Sequence, residues 1–367
     1  MKITRLTLYH VVMPLKEVFE TSSERIDMRA CILVEVFADG ISGYGECVAG
    51  IDPGYSYETV QTAWHVLKDF LAPAALKGEI SQTDFSTRMH FVRGHAMAKA
   101  GLEMALWDWH GKSQNLSLRE MLGGSRERVA VGVSVGIQSS PDELLKRVDA
   151  YLTQGYRRVK FKIKPGREAA ETRIVRQAHP DLLLQVDANS AYTLETAEAL
   201  LPLDEYNLLL IEQPLDEDDL WDHRSLQARL QTPLCLDESI LSARHARQAL
   251  DMEACRIINI KAGRVGGLGP AKAIHDVCSA RQVSVWCGGM LETGVGRAAN
   301  LALASLPGFT LPGDISATER YYAEDITEQR FRLNPDSTID VPKAPGLGIT
   351  IDQAALQKYT QTKLTIH

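Results

Sequence analysis

The chain of 367 residues predicts an α/β fold: a closed parallel barrel of βα units, preceded by a smaller domain of antiparallel strands and packed helices. Two observations carry this prediction. Beyond residue 125 short apolar strands alternate with longer helical segments, and VAVGVSVG, RVKFKI, LLLQVD, LLLIE, LCLD, RIINIK, VSVWC and FTLPG supply eight strands. Alternation at this spacing argues parallel βα units, and that number over roughly 200 residues suits a barrel better than an open sheet. Ahead of them, the hydrophobic period is 2 and then changes to that of helices.

Residues 1 to about 56 carry the period-2 stretches, with Ala30 to Gly40 reading as a strand that runs into an Asp-Gly turn. From Tyr57 to about Lys112 the apolar residues recur at helical spacing, as at Leu102, Ala105, Leu106 and Trp109. Paired glycines at Leu122 to Arg126 mark a boundary. After about residue 320 the βα rhythm stops, and APGLGITID reads as a turn and strand that rejoins the first domain. The expected division is 1–125, 126–320 and a returning segment, 321–367. An open doubly wound sheet is the alternative to the barrel, but no G-x-G-x-x-G follows a first strand, so its dinucleotide-binding form lacks support.

Forty Lys and Arg against 47 Asp and Glu give a formal charge of −7, the wrong sign for a phosphate-neutralising surface. Nucleic acid and anionic membranes are therefore not expected as partners. The first residues alternate like a strand and lack a signal-peptide core, and no apolar run approaches the roughly 18 residues of a membrane span. Six cysteines are scattered without any C-x-x-C pair. Reduced thiols in a cytoplasm are the expectation.

Five successive strands end in a charged residue that packing does not require: Lys162, Asp187, Glu212, Asp237 and Lys261, at intervals of 25, 25, 25 and 24 residues. Each interval is one βα unit, so in a barrel all five side chains meet at the C-terminal mouth, where barrel active sites are built. A single strand-end carboxylate is ordinarily a helix cap. Three in register repel one another strongly in a partly buried mouth unless a cation sits among them. An oxygen-only set suits Mg²⁺, with Mn²⁺ as a substitute, whereas zinc would call for nitrogen or sulfur.

In RVKFKIK, Val159, Phe161 and Ile163 share one face of a strand and Lys160, Lys162 and Lys164 the other. On an edge strand those lysines would be solvated gatekeepers. In a parallel barrel they enter the mouth, and Lys261 arrives from the far side. Two lysines around a dication supply what proton abstraction next to a carboxylate needs: positive charge for the enolate, and an amine base. Crowding by the metal and by the other lysine, together with burial, is expected to lower such a lysine's pKa toward neutrality.

These residues resemble the enolase superfamily in its muconate-lactonising subgroup. The K-x-K at Lys160 and Lys162, VDANSAY with Asp187, IEQPL with Glu212, LDES with Asp237 and INIKAGRVGG with Lys261 carry the likeness, and YGE (Tyr44 to Glu46), LEMALWD (Leu102 to Asp108) and GDISATERYYAEDI (from Gly313) extend it nearly end to end. Within the subgroup, GGMLETGVGRA (Gly288 to Ala298) is similar to the o-succinylbenzoate synthase and N-succinylamino acid racemase group. The resemblance implies a modified TIM barrel, (β/α)7β, capped by an α+β domain built from both chain ends. It also implies Mg²⁺ at Asp187, Glu212 and Asp237, an acid/base pair in Lys162 and Lys261, and a protonated Lys160 beside the enolate, the Lys-plus-Mg²⁺ pattern of that superfamily. Asn189 would lie beside the metal shell, with Glu238 a modulator of the site. Ser134 and the Gly289-Met290 backbone would contact the succinyl arm of a small carboxylate substrate, and the loop around Phe19 to Arg25 would close over it. A homo-oligomer, dimer or octamer, is also implied.

A mandelate-type racemase would need a His-Asp dyad on later strands, where this chain has Lys261 and Trp286-Cys287-Gly288. Arg264 either folds back and holds down the pKa of Lys261 or is a solvated loop arginine. The leading expectation is the syn dehydration of the o-succinylbenzoate synthases in menaquinone biosynthesis, with N-succinylamino acid racemisation as the alternative or as a second activity of the same site. A dipeptide epimerase is disfavoured because Gly313-Asp314-Ile315-Ser316 lacks the usual D-x-D. A catalytically dead barrel would be expected to have lost one of the five strand-end charges, and all are present.

Overall fold

The computed structural model of the chain describes residues 1–22 and 24–367. The N-terminal strands β1 (Arg5–Glu20), β2 (Arg25–Ala38) and β3 (Ile41–Cys47) form an antiparallel sheet. In the middle of β2, Ala30 to Val36 is buried without alternation, because its two faces meet two different hydrophobic clusters. One face lies under the helix Ala96–Gln114, itself buried nearly all round. Gly43 and Gly45 of β3 make that contact direct: a Cβ on Gly45 would sit 2.1 Å from the Gly101 carbonyl oxygen, so no larger residue fits there.

That helix carries a buried carboxylate. Glu103 accepts hydrogen bonds from the Leu268 and Gly269 amides and from Trp107 Nε1, each at 2.8 Å, tying the first domain to a barrel helix. Burial outweighs those three donors and pushes its carboxyl up to about 7. The folded state therefore holds a proton that the unfolded chain releases near its ordinary value, and stability falls as pH rises through that interval. We expect Glu103→Gln to flatten the decline of Tm between about pH 5 and pH 8. An unchanged slope would assign it to other groups.

After β4 (Arg128–Ala130), seven parallel strands follow in consecutive order: β5 (Val133–Val135), β6 (Arg158–Lys162), β7 (Leu183–Asp187), β8 (Ile211–Glu212), β9 (Leu234–Leu236), β10 (Ile257–Ile260) and β11 (Ser284–Cys287). Several of the helices between them are amphipathic. Pro141–Thr153, for example, is capped by the Ser140 hydroxyl and buries Leu144, Val148 and Tyr151 at positions i, i+4 and i+7, with about 1.5–3 kcal/mol gained for each aliphatic side chain.

The expected eighth strand, FTLPG, forms no ladder. Instead Phe309 bridges to Val285 and Gly313 to Val131, so this segment spans the two edges of the curled sheet. Pro312 lacks the N–H that a continuous ladder would need. VAVGVSVG likewise divides, with β4 pairing antiparallel with β12 (Thr338–Asp340) and only β5 joining the parallel sheet. At the C-terminus β13 (Thr360–Ile366) pairs antiparallel with β1, placing Ile366 opposite Leu6. Among the described residues no helix is long and apolar enough to cross a membrane.

Candidate active site

The strand ends meet a cavity of about 440 Å³ whose walls include Ser134, Lys160, Lys162, Asn189, Lys261 and Asp314 from the barrel and Phe19, Met28, Ile51 and Tyr55 from the first domain. Register explains why. Ser134 lies opposite Lys160 across β5 and β6, Lys162 opposite Asp187, and Asp187 opposite Glu212. Period 2 along β6 turns Lys160 and Lys162 to the same face. Lys261 follows β10, four strands away from β6 in the same sheet.

Oppositely charged groups pair throughout the mouth. Lys162 Nζ donates to Asp187 Oδ2 and to Asn189 Oδ1, both at 2.6 Å. Lys160 Nζ lies 3.0 Å from Asp187, 2.7 Å from Glu212 and 2.8 Å from Asp314. Lys261 Nζ lies 2.7 Å from Asp237 Oδ2 and 3.0 Å from the Tyr55 hydroxyl. Asn259 donates to Glu212 at 2.7 Å. Gln213 accepts from the Asp237 amide at 3.0 Å and so fixes the turn carrying that aspartate. Glu238 accepts from Asn189 at 2.9 Å, and its other oxygen is buried without a partner. The Ser134 hydroxyl is also buried and unpartnered.

Burial opposes ionisation of Asp187, but Lys162 and Lys160 override it and hold the carboxyl well below the usual range. Burial and the Asp187 charge push Glu212 and Glu238 up. Burial pulls the two lysines down, yet Asp314, Glu212 and Asp187 raise Lys160 above its ordinary value, and Tyr55, Glu238 and Glu212 do the same for Lys261. Without a dication among the carboxylates both lysines are raised, because each faces several anionic groups, whereas the fall toward neutrality is expected of the metal-bound site.

Arg264 is not solvated: it folds back beside Lys261 and shares with it both Asp237 and the Tyr55 hydroxyl, to which it donates at 3.3 Å. It is buried, pairs with Asp237, and donates to the carbonyls of Ile240 at 3.1 Å and Asn259 at 2.8 Å. Gly289 and Met290 line the cavity from the loop after β11. Gly288, just before them, has no room for a side chain: a Cβ would lie 2.6 Å from Lys261 Cε. The loop expected to close over the site includes Ser23, which lies outside the described residues. On either side of it, Ser22 donates to the Ala188 and Asn189 carbonyls at 3.3 Å, and Glu24 accepts from the Tyr55 amide at 2.8 Å.

Sequence reasoning gave no site role to Arg158, Asp314 or Tyr55, nor to Asn259 and Gln213. Arg158 donates to Asp314 at 2.6 Å, and Asp314 in turn holds Lys160. The period-2 rule that selects Lys160 and Lys162 also selects Arg158, so that signal was available. Tyr55 had none: it comes from a loop of the other domain. Among the described residues no three His, Cys, Asp or Glu side chains converge closely enough to hold a metal ion, since the carboxylate oxygens are drawn to lysine and arginine. The donor set nevertheless fits a hard dication in chemistry: Asp187, Glu212 and Asp237 are buried, oxygen-only and on adjacent strands, and a Glu238 oxygen beside them lacks a partner.

Residues 3–123 match the mandelate racemase/muconate lactonizing enzyme N-terminal domain and residues 143–355 the enolase C-terminal domain-like family. The chain belongs to the enolase superfamily. This enolase-superfamily chain is 50% identical to an o-succinylbenzoate synthase of Geobacillus stearothermophilus, over 100% of its own length and 98% of that protein. It is 47% identical to an N-succinylamino acid racemase of an Amycolatopsis species, covering 100% of both. A crystal structure of an enolase-superfamily member from Listeria innocua superposes with a TM-score of 0.96 at 41% identity, covering 100% of this chain and 99% of that one.

Proposed function

We propose that this enzyme is an o-succinylbenzoate synthase of menaquinone biosynthesis, which dehydrates 2-succinyl-6-hydroxy-2,4-cyclohexadiene-1-carboxylate to 2-succinylbenzoate. The observation that carries the reading is the placement of Lys162 and Lys261 four strands apart on the wall of one cavity, with buried carboxylates between them. Lys162 removes the proton next to the substrate carboxylate and then delivers it to the departing hydroxyl, so a single base on one face completes the syn elimination. Lys261 stays cationic near the enolate, and Lys160, pinned by Asp314, Glu212 and Asp187, stays protonated.

Asp187, Glu212 and Asp237 would hold Mg²⁺, with Mn²⁺ as a substitute. When bound, the dication supplies positive charge to the substrate carboxylate and so favours the enolate. Charge balance supports this pairing of metal and substrate. In their ordinary ionic forms Asp187, Glu212, Asp237, Glu238 and Asp314 are matched by Lys160, Lys162, Lys261, Arg158 and Arg264. With Lys162 neutral as the base the set carries about one negative charge, so a bound dication leaves about one positive charge to meet the substrate carboxylate beside it.

N-succinylamino acid racemisation is the second reading, favoured by the same two lysines on the cavity wall. There one lysine takes the α-proton and the other returns one to the opposite face. A dipeptide substrate fits less well, because Asp314 already holds Arg158 and Lys160 and is not free for a peptide amine. The six cysteines, all buried and unbridged, support a reducing cytoplasm.

Lys261→Arg separates the two roles, because arginine keeps the charge but does not release a proton near neutral pH. Racemisation should fall by roughly 10²–10⁴-fold and dehydration far less. Equal losses in both reactions would contradict the division of labour between the lysines.

A further inference from the structure

The loop of residues 288–293, between β11 and the helix Gly294–Ala304, carries the Gly289-Met290 backbone along the cavity wall. Its shape is not one the loop adopts by itself. Leu291 has φ +56, in the left-handed region that a branched side chain avoids, and such a conformation persists only where the surroundings dictate it. The surroundings come from outside the loop. The Tyr322 hydroxyl donates to the Leu291 carbonyl at 2.5 Å, and Tyr322 is 1% exposed. Glu46 of β3, fully buried, accepts from the Thr293 hydroxyl at 2.6 Å, from the Thr293 amide at 3.2 Å and from the Gly296 amide at 2.9 Å. Within the barrel, Arg297 donates to the Glu292 carbonyl at 2.9 Å and Asn300 to its carboxylate at 2.9 Å.

Neither Glu46 nor Tyr322 lines the cavity. A fully buried carboxylate aimed from one domain at the first turn of a helix in the other is costly unless each acceptor is used, and here three donors converge on it. The consequence is that the wall contributed by this loop is set by the contact between the two domains.

We propose that Glu46 and Tyr322 are positioning residues that hold loop 288–293 in the shape that recognises the succinyl arm of the ligand, and so set selectivity for succinyl over shorter acyl groups. This rests on the reading that the Gly289-Met290 backbone contacts that arm. Tyr322→Phe removes one hydroxyl and leaves the ring packing in place. In saturating Mg²⁺, Kd is measured by calorimetry for 2-succinylbenzoate and for 2-acetylbenzoate, which lacks the terminal carboxymethyl group.

Loss of one buried hydrogen bond should reduce the succinyl-over-acetyl preference roughly three- to tenfold, with Kd for 2-acetylbenzoate unchanged. Glu46→Gln, measured in the same way, should move the preference in the same direction. A folded Tyr322→Phe protein with a lower Tm and an unchanged preference overturns the proposal, since the clamp would then serve stability alone. If the unaltered protein binds both ligands equally, the succinyl-arm reading fails and takes the positioning role with it.

Discussion

Replacing Lys162 by alanine is expected to lower kcat for dehydration by roughly 10²–10⁴-fold, the contribution of a positioned general base. Both half-reactions of the proposed elimination pass through this one amine, so nothing else in the cavity substitutes for it in place. Lys160 is the nearest cation to Asp187 besides Lys162, but it is also bound to Glu212 and Asp314 and is raised above its ordinary value, which makes it a poor base. The fold should survive, because Lys160 continues to neutralise Asp187 after the substitution. Steady-state kinetics beside a thermal melt checks both statements. A folded Lys162→Ala protein with full turnover would remove Lys162 from the mechanism.

Glu212→Gln is expected to abolish the response to Mg²⁺ and to lower turnover by roughly 10²–10³-fold, the scale lost when preorganised stabilisation of a developing anion is removed. Glu212 is the central carboxylate of the three, flanked by β7 and β9 and buried completely. In the unaltered protein Mg²⁺ at about a hundred times its Kd should add roughly 2.7 kcal/mol of stability. The variant should show no such gain in a melt with and without the metal. Retention of both the Mg²⁺-dependent stabilisation and the turnover would displace Glu212 from the metal site.

The barrel was legible in the sequence because parallel strands buried on both faces read as short apolar runs at regular spacing, and because each interval between strand-end charges equals one βα unit. Lys160 and Lys162 followed from period 2, and the cavity contains both, along with Lys261, Ser134 and Asn189. What escaped was whatever depends on contacts distant in sequence. FTLPG reads as a strand by composition, yet Pro312 and the need to span two sheet edges reduce it to isolated bridges. Tyr55 reaches Lys261 across 206 residues, from a loop without any local pattern. Without a dication Lys261 is raised because Tyr55, Glu238 and Glu212 outweigh burial, and sequence spacing does not identify Tyr55 as its neighbour. Arg264 was ambiguous in sequence for the same reason: its partner, Asp237, belongs to the preceding βα unit.

The most direct test is kcat/KM for conversion of 2-succinyl-6-hydroxy-2,4-cyclohexadiene-1-carboxylate to 2-succinylbenzoate, measured with Mg²⁺ and again after chelation. The account predicts a value within the usual enzymatic range, about 10⁴–10⁸ M⁻¹s⁻¹, that collapses when the metal is removed. A value far below that range in folded, Mg²⁺-stabilised protein would contradict the synthase function and leave N-succinylamino acid racemisation as the reaction of this site.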